Sequence, residues 1–310
     1  MHNVPRWPLI GIADERGRLL PYVGLQQPAM TREEEEDIRE LEARVSFVGF
    51  TSLLTFPRWR PADDPFDYTS LCRGWCHCFR NPDQYLPAGV PAVLNAFSDF
   101  IDYQRTSRDA LLPGGPAVGP AWDFLYVCPA ESAKAMVKNW PLASRCLPVL
   151  CGELGLRGIV VGRRQIGDLP ECADRLTVTD ELPWPALMRV LANSRMLFVP
   201  NEQDPSPRLM AEALCMDVPV VVNRRILGGW HYVNPFTGVF FDDEGDVGAA
   251  VRDCLTSWTS PRRWFIAHHG PLHAGERLRR LLRDIDPAMR HVAAVRLVVD
   301  TARHCATERR

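Results

Sequence analysis

FVPNEQDPSPRLMAEALCMDVPVVVNRRILGGW, residues 198–230, sets an acid, Asp204, eight positions ahead of a second acid, Glu212, between two apolar runs. The runs MLFVP (196–200) and PVVVN (219–223) have the length and β-branched content of buried strands. Between them, NEQD reads as a polar loop and PRLMAEALCMD as a helix. Ser206 followed by Pro207 reads as the helix start: a capping hydroxyl, then a proline whose missing N–H costs nothing there. Strands that are apolar throughout and alternate with helices form a parallel sheet covered on both faces. Ligands of such sheets bind beyond the carboxyl ends of the strands. Asp204 is therefore expected in a rim loop, with Glu212 about a turn and a half into the helix. The N–H groups of the first helical turn, at Arg208 and Leu209, are expected to face that rim.

The same rhythm extends outward. Strands WDFLYVC (122–128), RGIVVG (157–162) and LTV (176–178) alternate with helical stretches AKAMVKNWPLASRCLPVLC and PALMRVLANSR. The Gly- and Pro-rich run LLPGGPAVGPAW (111–122) reads as a linker. The expected organisation is an N-terminal domain over 1–118, a ligand-binding α/β domain over 119–275, and C-terminal helices over 276–310 that pack back on the body. In the N-terminal part, 7–24 reads as a strand and turn and 45–57 as an apolar strand; 58–91 is expected to be irregular. MTREEEEDIRELEARV (30–45) reads as a helix capped by Thr31, with Glu34 at the capping-box position. In the tail, Val292, Val295, Val299 and Ala302 fall on one helical face.

With 310 residues, 46% of them hydrophobic, the chain can build two cores. A net charge of −2, from 36 basic and 38 acidic residues, excludes a whole-protein field for nucleic acid. No apolar run of about 7–15 residues follows a basic start, so no signal peptide is expected. None reaches the roughly 20 residues of a membrane span. A cytoplasmic location follows as the expectation, with the ten cysteines as reduced thiols.

The rim residues suit a nucleoside diphosphate laid across the strand ends. Glu212 can accept the hydroxyls of a ribose, and Asp204 those of a sugar on the far phosphate. Gly228-Gly229, in the next rim loop, lets backbone approach a ligand closely. Each feature has a plainer use, since acids partner helix dipoles and Gly-Gly makes turns. Their order on consecutive strand-end loops is what points to a site.

At this point AEALCMDVPVVVN, LGGW and NPFTGVFFDDEGD resemble, in order and spacing, the donor half of the GT-B glycosyltransferases of family 4 (glycosyl transferases group 1). The resemblance is specific over 196–243. It implies a GT-B-like α/β fold: a doubly wound parallel-sheet C-terminal donor domain and a shortened N-terminal α/β domain. It also implies that Glu212 holds the ribose and that Asp204, one methylene shorter than the family's Glu, contacts the transferred sugar. Lys138, with Lys134 as its competitor, and Arg163 match the cations that neutralise the diphosphate. Gly162 matches the glycine after the second strand, and Gly228, Gly229 and Trp230 match the Gly-Gly loop. Pro205-Ser206-Pro207 replaces the family's Gly-Phe-Gly. The activity implied is transfer of a sugar from a UDP- or GDP-type donor to a hydroxyl of a glycan, lipid or small molecule. The family does so with retention and without metal or cofactor. A nucleotide-sugar-binding protein without catalysis, or an epimerase or phosphorylase of the same architecture, remains the alternative.

Other constellations carry less. Cys72, Cys76, His77 and Cys78 lack the second paired CxxC that zinc sites prefer. Gly270-Pro271 interrupts His268, His269 and His273. The Asp284-Ile285-Asp286 triplet lies in the helical tail. Asp99 and Asp102 read either as acceptor-side contacts or as caps.

Overall fold

The computed structural model describes residues 8–29, 31–51, 57, 67–112, 120–129, 137–164, 166–167 and 169–298. The chain divides into two units, Met1–Phe100 with Pro271–Arg310, and Ile101–Gly270. The first break falls ahead of the Gly/Pro run that separates 1–118 from 119–275 in the sequence reading. The reason is packing: Ile101, Tyr103, Leu111 and Leu112 already belong to a core of the second unit. Arg108 Nε also donates to the Met216 carbonyl there at 2.9 Å.

In the first unit, β1 (Leu9–Asp14), β2 (Leu19–Leu25), β3 (Ser46–Phe50), β4 (Cys72–His77), β5 (Ala92–Leu94) and β12 (Val295–Val298) form one sheet. Its order is β12-β1-β2-β3-β4-β5. Both neighbours of β1 run antiparallel to it, and the pairs from β2 to β5 are parallel. Helix Arg32–Glu42 covers one face through Ile38, with Thr31 and Glu34 forming the expected capping box. Helix Pro271–Ile285 covers the other through Leu278, Leu281 and Leu282. The helical face expected over 292–302 is not formed over its described part: Val292 caps the short helix Pro287–His291, and Val295–Val298 is strand β12, because pairing with β1 satisfies backbone that spacing alone assigned to a helix. Val299 and Ala302 lie outside the described residues.

In the second unit, β6 (Trp122–Val127), β7 (Gly158–Val161), β8 (Leu176–Thr179), β9 (Ser194–Val199), β10 (Val220–Asn223) and β11 (Gly238–Phe241) form an all-parallel sheet. The order is β11-β10-β9-β6-β7-β8. Alternation along the strands fills both faces. Leu125, Val161, Leu197 and Val222 meet helices Trp184–Ala192 and Arg208–Cys215. Phe124, Tyr126, Val160, Phe198 and Val221 meet helices Trp140–Pro148 and Val247–Thr256. Each such side chain, fully buried, contributes about 1.5–3 kcal/mol. The strand order reverses at β6: the chain adds β7 and β8 on one side, then returns to add β9 through β11 on the other. Sheets of this kind receive their ligands at that switch, beyond the carboxyl ends of β6 and β9. Among the described residues no helix is long and apolar enough to cross a membrane.

Candidate active site

The loops that follow β6 and β9 are tied together across the switch. Lys138 Nζ lies 3.1 Å from Asp204 Oδ2, and Asn201 Nδ2 donates to the same oxygen at 2.9 Å. Asp204 is 7% exposed, so these bonds replace lost water. Asn139 adds a second tie, donating from Nδ2 to the Pro200 carbonyl at 3.1 Å and to Glu202 Oε1 at 3.3 Å. Its Oδ1 caps helix Trp140–Pro148 by accepting from the Leu142 N–H. It does so from the left-handed region, with φ 52°. The Tyr126 hydroxyl donates to the Lys138 carbonyl at 2.8 Å and fixes the cation's backbone. Burial pushes the Tyr126 phenol far above its ordinary pKa, so it remains a donor.

The next rim loop closes on the first acid. The Gly228 N–H donates to the Asp204 carbonyl at 2.8 Å, and the Leu227 N–H to the Glu202 carbonyl at 2.8 Å. The contact requires glycine. A Cβ on Gly228 would lie 1.9 Å from the Pro205 carbonyl oxygen, and one on Gly229, at φ +70°, 2.4 Å from Pro207 Cγ. The proline pair and the glycine pair of the quoted stretch are thus two halves of one packing arrangement. Trp230 follows, half-buried at the start of the short helix Trp230–Tyr232.

Helix Arg208–Cys215 begins one residue later than Ser206-Pro207 suggested. Its N-cap is Pro207, and no side chain caps it. The Pro207 carbonyl accepts from Met210 and Ala211, which leaves Ser206 outside the helix. Arg208 is exposed and Leu209 half-buried against the core. Glu212 is 3% exposed, yet its carboxylate does not meet only apolar atoms. Its Oε1 accepts from Trp184 Nε1 at 2.9 Å and from Arg208 Nε at 3.1 Å.

Arg163 flanks the crevice from the other side of β6. It follows Gly162, the residue after β7, whose N–H donates to the Thr179 carbonyl. The guanidinium lies 4.2 Å over the Trp140 ring and donates to Cys128 Sγ at 3.6 Å. Stacking of this kind is worth about 0.5–1 kcal/mol and holds a cation in one orientation. Lys134 lies outside the described residues.

Asp204, Lys138, Gly228 and Gly229 are linked by bonded or packed loops, with Gly162 and Arg163 on the other side of β6, while Glu212 lies in the helix that follows and is bonded to Trp184 and Arg208 instead. Three residues of the rim were not singled out by sequence: Asn139, Asn201 and Trp184. Asn139, two residues ahead of Pro141, carries a readable cap signal. Trp184 carries none, because its partner is reached only through the fold. Elsewhere the structure assigns plainer roles. Asp99 accepts from the Ala96 N–H and pairs with Arg277, and Asp102 accepts from Gln104 and Arg105. Cys72 and Cys76 belong to cores on opposite faces of the first sheet. Asp286 accepts from the Tyr22 hydroxyl and caps the turn that follows.

Neither known protein families nor curated proteins match the sequence. Solved structures do. Sucrose-phosphate synthase from Thermosynechococcus elongatus aligns with a TM-score of 0.53 at 13% identity, over 82% of this chain and 72% of that one. AviGT4, a glycosyltransferase involved in avilamycin A biosynthesis, aligns at 0.52 and 17%, over 85% and 80%. The pneumococcal O-GlcNAc transferase GtfA, solved in complex with UDP and GlcNAc, aligns at 0.52 and 9%, over 83% and 55%. With two mostly parallel α/β sheets, the chain has the GT-B glycosyltransferase fold.

Proposed function

We propose that this protein is a glycosyltransferase that moves a sugar from a UDP- or GDP-type donor to an acceptor hydroxyl, with retention and without a metal. The observation that carries the reading is the Lys138–Asp204 pair at 3.1 Å across the topological switch, braced by the Gly228 N–H. It sets a cation for phosphate and an acid for sugar hydroxyls side by side, where this architecture receives nucleotides. Glu212 supplies the ribose acceptor, and Arg163 a second positive charge.

In the reaction, the bond from the sugar's anomeric carbon to the terminal phosphate oxygen breaks. The acceptor oxygen bonds to that carbon on the same face, and its proton passes to the departing phosphate. The nucleoside diphosphate gains negative charge as it leaves. Lys138, Arg163 and the N–H groups of Arg208 and Leu209 offset that charge as it develops. Asp204 orients the sugar through its hydroxyls. The acceptor is a glycan, lipid or small molecule, and the cytoplasm is the working compartment.

Calorimetry with UDP and GDP, followed by NMR of the products formed from the corresponding nucleotide sugars, tests the proposal. Glu212→Ala is expected to weaken nucleotide binding by about 2 kcal/mol through loss of the ribose bonds. Unchanged nucleotide affinity in that variant removes Glu212 from the site. Failure of the wild type to turn over any donor leaves a binding protein.

A further inference from the structure

Trp184 opens helix Trp184–Ala192, on the crossover from β8 to β9, with Pro183 before it and Pro185 after it. Its indole N–H reaches across to the second turn of helix Arg208–Cys215 and donates to Glu212 Oε1 at 2.9 Å. Arg208 Nε donates to the same oxygen at 3.1 Å. The two donors differ in kind. The Arg208 side chain is 46% exposed, and an ion pair made by such a long, solvated group holds its partner loosely. Trp184 is itself 37% exposed, so solvent does not separate the two; what does is that the indole turns about only two side-chain torsions and belongs to a helix anchored in the core by Met188 and Leu191. A carboxylate that is 3% exposed takes its direction from the stiffer donor.

We propose that Trp184 is the positioning residue for Glu212, fixing the carboxylate in the orientation that accepts the 2′- and 3′-hydroxyls of the donor's ribose. The inference rests on the nucleotide reading above and adds to it a residue that touches the acid rather than the substrate. Its consequence is discrimination. An acid held in one orientation rejects a nucleotide that lacks the hydroxyls, because its bonding capacity then goes unmet. An acid that swivels discriminates less.

The probes are UDP and 2′,3′-dideoxy-UDP, or the GDP pair if the wild type prefers guanine, titrated by calorimetry. Trp184→Phe keeps a ring and removes only the N–H. UDP affinity should fall by about tenfold, the scale of losing one charge-assisted bond between a ribose hydroxyl and a carboxylate that is no longer held in place. Affinity for the dideoxy nucleotide should stay within about twofold, so that the preference collapses. Trp184→His, which restores an N–H, should recover part of it. A parallel loss for both nucleotides, or no loss for either, overturns the inference while leaving the nucleotide site intact. If Trp184→Phe does not fold, the wild type answers through the Trp184 indole 1H–15N signal, assigned by its absence in Trp184→His. That signal should shift with UDP and stay in place with the dideoxy nucleotide; a signal indifferent to UDP overturns the inference. If the wild type binds none of these nucleotides, the functional reading falls first, and this inference with it.

Discussion

Asp204 Oδ2 receives Lys138 Nζ and Asn201 Nδ2, while the Asp204 carbonyl receives the Gly228 N–H. One residue thus joins three rim loops, with charge on its side chain and geometry on its backbone. The two jobs can be separated by mutation. Asp204→Ala leaves the carbonyl in place and removes the acid, so it should cost turnover far more than nucleotide affinity. We expect kcat to fall by about a hundredfold or more, the scale of losing one preorganised polar group at a reacting centre, with UDP or GDP affinity within about threefold. Equal losses in the two would move Asp204 from the sugar to the nucleotide. Gly228→Ala attacks the other job. The added methyl has to displace the Pro205 carbonyl, 1.9 Å away, and backbone cannot swing aside as a side-chain tip can. It should destabilise the fold by about 1–3 kcal/mol in urea denaturation and weaken nucleotide binding as well. Wild-type behaviour in both would mean that the loop adapts and that the glycine is not required.

At the scale of elements, helix Trp140–Pro148 depends on a cap that inverts an ordinary rule. Asn139 sits at φ 52°, where an L-residue other than Asn or Asp is strained by roughly 1–2 kcal/mol. Both Asn139→Gly and Asn139→Ala lose the bonds to Leu142, Pro200 and Glu202. Only the alanine variant also takes on the strain. Alanine should therefore be the worse substitute by about 1 kcal/mol, although elsewhere in helices glycine is. Denaturation midpoints of the two variants decide this, and a more stable alanine variant would sink it. The same element scale shows what could be read ahead of the structure. β6, β7, β9 and β10 were legible because strands buried on both faces are apolar without interruption. The site loops were legible because consecutive strand ends must share a rim. β12 was not: Val292 and Val295 have helical spacing, and only pairing with β1 makes a strand of that segment. Ser206 was read as the cap because its chemistry fits, but Pro207 takes the position against the glycine turn. Trp184 was invisible for a similar reason: its role depends on where two helices converge.

At the scale of the whole molecule, the four buried clusters found among the described residues divide two to a unit. The chain leaves the first unit at Phe100 and returns at Pro271 to lend it helix Pro271–Ile285, so that unit is complete only when distant segments meet. Leu278 is fully buried in one of its cores, and Phe198 is 1% exposed in a core of the second unit. Truncating either side chain leaves a cavity and costs about 2–5 kcal/mol. Where each unit keeps its own cores, a multidomain chain unfolds in more than one step. Scanning calorimetry should therefore resolve two transitions. Leu278→Ala should lower one and Phe198→Ala the other, each leaving its neighbour within a degree or two. The assignment has a direct check, because a nucleotide bound at the switch of the second sheet should raise the transition that Phe198→Ala lowers and leave the one that Leu278→Ala lowers. A single transition that both substitutions lower together would mean that the units fold as one cooperative body.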